Sequence, residues 1–158
     1  MNPAQVFLLA FSIGVASGLR SLTAPAAVAW AAHLNWLNLS NTSLAFMGST
    51  AAAAVFTVLA LVELVADKLP STPSRTKPPG LIARFVFGGL CGSGLAAGGM
   101  QSIALGSVLG AAGGLAGAFA GYKARTGLVH ASKFPDIVIA LIEDAVAIGG
   151  SFIIVSRF

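Results

Sequence analysis

The feature that most limits how this chain can fold is the recurrence of apolar runs that carry almost no charge. A helix crosses a hydrocarbon core of roughly 30 Å with about 20 residues, at about 1.5 Å per residue. Five spans of that kind are expected: about Ala4 to Leu19, Ser43 to Ala66, Gly80 to Met100, Ile103 to Tyr122, and Asp136 to Val155. The predicted fold is all-α, a polytopic helical bundle forming one integral membrane domain over residues 1–158.

Composition excludes the soluble alternative. Only 9% of the residues are charged, against about a quarter in soluble domains, and the mean hydropathy is +0.89. Too few polar side chains exist to cover a water-facing surface. The sequence pI of about 9.9 does not point to nucleic acid, because the basic residues fall in short connections between apolar runs and no aromatic–basic stripe accompanies them. A single cysteine, Cys91, permits no intrachain disulfide and leaves the redox compartment unreadable.

The first apolar stretch, Pro3 to Leu39, is too long for one straight helix and is interrupted by Arg20, Thr23 and Pro25. Proline inside a helix costs about 3 kcal/mol unless the chain turns there. A span followed by a broken, re-entrant or interfacial helix from Ala26 to Trp36 is therefore expected, with Trp30 and Trp36 at a membrane–water interface. The start, MNPAQ, lacks the positive charge of a signal peptide. The segment is read as retained, although Ala24-Pro25-Ala26 loosely resembles a cleavage site.

Orientation is read from the connections. Lys68, Arg75, Lys77 and Arg84 surround the second, and Lys123, Arg125 and Lys133 fill the fourth, whereas the first and third carry no Lys or Arg. Under the positive-inside rule the basic connections are cytoplasmic. Five spans then give a cytoplasmic N-terminus and an external C-terminus, in a cell inner membrane.

Several ionisable residues lie within or at the ends of the spans. Arg20 closes the first in SGLRSLTAP, Glu63, Asp67 and Lys68 close the second in LALVELVADKLP, and Glu143 and Asp144 interrupt the last in IVIALIEDAVAIGG. Charge within a bilayer is expensive, so such residues face protein or a cavity and find partners. Glu63 and Glu143 are expected to face the bundle interior within reach of Arg20, Lys123 or Arg125. Asp67 and Lys68 would form the solvated rim of the same feature. The bland alternative is that these charges only pair to hold helices together.

Glycine explains much of the rest. In the fourth span Gly106, Gly110 and Gly114 are spaced by four, as are Gly113, Gly117 and Gly121, which bares backbone on one helix face for close packing. The third span, FGGLCGSGLAAGG, has the same character. Its Gly92-Ser93-Gly94 is no nucleotide loop, since no strand precedes it. The histidines, His33 and His130, sit in separate connections and suggest no metal site, and no nucleophile–base arrangement suggests an enzyme. No cofactor is expected.

The combination of GLRS, ELVADKLP and the Glu-Asp pair of LIEDAVAIGG resembles the bacterial membrane-protein family catalogued as domain of unknown function 4126. The E-x-x-x-D-K-x-P part, on Glu63, Asp67, Lys68 and Pro70, is the most specific. Two features depart from the family pattern: Lys123 and Arg125 stand closer together, and the polar segment HASKFPD is shorter. The resemblance implies a membrane bundle and favours Arg20, Glu63 and Glu143 as its key residues, but it implies no activity.

The functional expectation is a small transporter- or channel-like protein. Arg20, Glu63, Asp67, Lys68, Lys123, Arg125, Glu143 and Asp144 would bind a small ion, a proton-coupled solute or a lipid head group. The competing expectation is a non-transporting structural or lipid-interacting component. The expected partners are the bilayer, such an ion or solute, and a second copy of the chain, with no nucleic acid.

Overall fold

The computed structural model describes residues 1–67, 77–131 and 135–158. Six α-helices are present among them and no strand, so the fold is all-α. They are α1 (Pro3–Leu19), α2 (Thr23–His33), α3 (Thr50–Ala66), α4 (Pro78–Gly98), α5 (Ile103–Ala131) and α6 (Asp136–Val155), with a short 3-10 turn at Ala45–Gly48 before α3.

Local chemistry sets the ends. Asn2 and Gln5 form a reciprocal capping box around Pro3 at the start of α1. Ser49 accepts from the Ala52 amide to start α3. Asn35 adopts a positive φ of 60° just past α2, and the Trp36 amide reaches back to the Ala31 carbonyl, closing the helix as a left-handed terminal residue does.

At all five expected span positions the described residues form a helix. Pro78–Gly98, Ile103–Val129 and Ile137–Val155 are long and apolar enough to cross a membrane, while α1 and α3 have 17 residues each. Large apolar side chains stand exposed along the outer faces, among them Val58, Leu61 and Val62 on α3 and Leu141, Ile142 and Ile153 on α6. In water such a surface would aggregate; in a bilayer it meets its solvent. The protein is a helical membrane protein.

The interior is a three-helix contact of α1, α4 and α5 built on glycine. Gly14 faces Gly110, and Gly18 faces Gly114 and Gly117. From α4, Gly88 faces Gly110 and Gly114, and Gly92 faces Gly106 and Gly110. A methyl carbon placed on Gly88 would stand 2.6 Å from the Gly110 carbonyl oxygen, so backbones touch here only because side chains are absent. The two glycine series of α5 thus serve different neighbours, with Gly110 and Gly114 touching both.

The same contacts give the helix directions. Along α1 the partners on α5 rise in number with those on α1, whereas α4 runs opposite, with Gly18 at the level of Arg84 and Val6 against Gly99. The chain then turns at residues 20–22, and α2 runs back beside α3, pairing Leu22 with Glu63, Trp30 with Thr57 and His33 with Gly48. Leu37 reaches Gly98, and Val155 of α6 joins the same core cluster. Both termini therefore lie at the end of the bundle that holds the α4–α5 connection. This differs from the expectation of termini on opposite sides: α2 returns through the bundle, as the re-entrant alternative rather than the interfacial one would have it. Its start also moves from Ala26 to Thr23. Pro25 is the third residue of α2, in the first turn, where a helix needs no amide from it.

Candidate functional site

The candidate site is the junction between α1 and α2. Arg20 leaves the helix with extended backbone (φ −139°, ψ 115°), and Thr23 begins the next. Two helix ends are exposed to the protein interior there: the carbonyl end of α1, which carries partial negative charge, and the amide end of α2, which carries partial positive charge.

Each end is met by a charge of the opposite sign from another helix. Arg84 is the seventh residue of α4 and is buried. Its Nε donates to the Gly18 carbonyl at 2.9 Å and its Nη1 to the Gly80 carbonyl at 2.9 Å. Glu63, one turn before the end of α3, accepts from the Ser21 amide and the Leu22 amide, each at 2.8 Å. Ser17 Oγ donates to the Ser21 carbonyl at 3.2 Å, which further holds the turn.

Arg20 itself has no solvent exposure. Its Nε donates to Asp144 Oδ1 of α6 at 2.6 Å, and its Nη1 pairs with Asp67 at the end of α3. Its Nη2 lies beside the same Asp144 oxygen but off the angle of a hydrogen bond, and it has no other partner. Burying a guanidinium is costly unless it is paired; two carboxylates from two helices supply the pairing. Near this point Arg125 of α5 stands 3.8 Å from Glu143. Among the described residues the junction brings together two cations, Arg20 and Arg84, and three carboxylates, Glu63, Asp67 and Asp144.

Several expectations change. Glu143 has the basic neighbour expected of it, Arg125. Among the described residues no cation is paired with Glu63: two backbone amides hold it, because the amide end of α2 arrives where a cation was expected. Asp67 is an ion-pair partner of the buried arginine, not a solvated rim. Lys123 is exposed on α5 and takes no part in these pairs. Lys68 lies outside the described residues, as do Arg75 and Lys133. Arg84, read as a topology-setting loop charge, is a buried helix cap. Its position well inside an apolar helix, after Pro78 and Pro79, was the available signal.

No match to the chain was found among curated proteins or among solved structures. Residues 7–156 match the model described as Domain of unknown function (DUF4126). That match takes in Arg20, Glu63, Asp67, Arg84 and Asp144, and the chain belongs to this family.

Proposed function

We propose that the protein moves a small ion or proton-coupled solute across the membrane, with the α1–α2 junction as its binding site. The observation that carries the reading is Arg20, fully buried at a break between two helices and paired with carboxylates of α3 and α6. Broken helices meeting inside a bundle place helix ends and ionisable groups where a solute would otherwise meet hydrocarbon, a device of membrane transporters.

For orientation we propose that the end bearing Lys77, Lys123 and Arg125 faces the cytoplasm across a cell inner membrane. Both termini are then external. A homodimer would pair through the outer faces of α3 and α6, since the glycine stripes of α4 and α5 are occupied within one copy.

The test is proton flux into liposomes containing the purified protein, driven by a potassium diffusion potential and read by an enclosed pH dye. Wild type should acidify the lumen faster than protein-free liposomes, and D144N should abolish the difference. Equal rates with and without wild-type protein would overturn the proposal.

A second reading, a purely structural junction, is favoured by the fact that both Glu63 oxygens and both helix ends are satisfied within the protein. In that case E63Q should lower stability without any transport phenotype.

A further inference from the structure

We infer that the amide end of α2 is a binding site for a small monocarboxylate anion, which Glu63 occupies in this structure and yields to the incoming ligand. This rests on the junction being a solute site and names the class of solute.

The first observation is the manner in which Glu63 is held. Its two oxygens take the Ser21 and Leu22 amides at 2.8 Å each. This is the way a free carboxylate docks at a helix start, where amides and helix dipole both favour an anion. Glu63 is half-buried near the end of α3, so its side chain is not enclosed on every side by protein.

The second observation is independent of Glu63. Thr23, the first residue of α2, is 6% exposed, and its hydroxyl is buried with no hydrogen-bond partner. A buried hydroxyl left unpaired is costly and calls for a partner. Arg20, three residues earlier and fully buried, has its Nη2 without a hydrogen bond. The junction therefore offers more donors than Glu63 accepts from, and all but the hydroxyl can only donate.

These features select the ligand. Donors of this kind suit a group that only accepts, so a carboxylate or similar anion fits and a cation does not. Two amides side by side match the two oxygens of one carboxylate. A monocarboxylate adds one negative charge beside Asp67 and Asp144 and a dianion adds two, so the monoanion is the less costly occupant. A monocarboxylate small enough to reach the Thr23 hydroxyl satisfies all three conditions.

The test uses full-length protein in detergent, with sodium acetate as the probe and sodium chloride and sodium phosphate at matched ionic strength as controls. Binding is read by calorimetry and by the midpoint of thermal unfolding. Acetate should raise the wild-type midpoint saturably, with no such effect from chloride or phosphate. E63A removes the internal competitor and should bind acetate roughly tenfold more tightly, the weight of one charge-assisted hydrogen bond. T23V should bind acetate about fivefold more weakly, as expected for loss of one hydrogen bond. In the absence of acetate T23V should be at least as stable as wild type, because it deletes an unpaired buried hydroxyl. E63Q replaces E63A should the latter fail to fold, with the same direction of change. The inference is overturned by an acetate effect no larger than that of chloride in both wild type and the Glu63 variant. Undiminished acetate binding by T23V, or lower stability of T23V without acetate, overturns it equally. Acetate binding without proton flux keeps this site and removes the transport proposal; flux without acetate binding does the reverse.

Discussion

Arg84 of α4 closes the carbonyl end of α1 by donating to Gly18, 66 positions earlier in the chain. A cation at a helix C-terminus is favourable in water by a few tenths of a kcal/mol and by more when buried. Here the cap also lets α1 stop inside the bundle.

R84L should therefore lower stability by about 2–3 kcal/mol, the range for hydrogen bonds involving a charged group. R84K, which keeps the charge but loses the planar fork, should recover part of the loss. Thermal unfolding in detergent measures both, and a wild-type midpoint in R84L would contradict the cap.

The two acidic partners of Arg20 differ in burial, with Asp144 10% exposed and Asp67 20%. Removing the more buried partner leaves Arg20 worse compensated, so D144N should cost more stability than D67N. R20M, which removes the partner these two carboxylates share, should cost about 3–5 kcal/mol. The triple variant R20M/D67N/D144N should be more stable than R20M alone, and a failure of that recovery would show that the charges are not coupled.

Gly110 lies against the backbones of both α1 and α4, whereas Gly149 on α6 has open space around it. G110A should already destabilise, and G110L should do so by at least about 3 kcal/mol through forced separation of the helices. G149A should be neutral or gain about 0.5–1 kcal/mol from reduced backbone freedom. Equal midpoints for G110L and wild type would remove the glycine contact as the basis of packing.

Single cysteines introduced at Asn2, Lys77 and Arg157 report the directions of the helices, since the native Cys91 is buried. A membrane-impermeant thiol reagent applied to intact cells should reach the first and last from the same side. It should reach position 77 only after the membrane is opened. Labelling of positions 2 and 157 from opposite sides would contradict the return of α2.

Much of this architecture is visible in the residues alone, for identifiable reasons. Charge in an apolar run is rare because desolvation is expensive, so Arg20, Glu63 and Asp144 stand out before any coordinates are known. Glycine at a spacing of four marks a helix face, and Gly110 and Gly114 lie where that spacing puts them. Partner choice is less legible. Glu63 and Glu143 sit in similar local sequence, LALVELVAD and IALIEDAVA, yet one takes amides and the other faces Arg125. The difference depends on where α2 arrives after its turn, a tertiary fact with no local signature. The break expected among Arg20, Thr23 and Pro25 falls at Arg20 to Leu22, and Pro25 itself belongs to the first turn of α2. Arg84 follows the basic residues of the preceding connection, but it stands seven residues into an apolar helix after Pro78 and Pro79, which marks it as more than a topological signal.

The depth of the junction has an electrical consequence. Arg84, level with the end of α1, stands about 9 Å into α4, a helix about 31 Å long. Where α4 defines the crossing, that is close to a third of the dielectric thickness. A unit charge passing between the basic end and the junction would therefore traverse about a third of the transmembrane field. At about 2.3 kcal/mol per 100 mV for the full crossing, an ion bound at the junction as proposed, entering from that end, would change in occupancy by roughly threefold per 100 mV. A resting membrane potential would thus bias this site without any moving helix, solely because the two short helices meet below the surface.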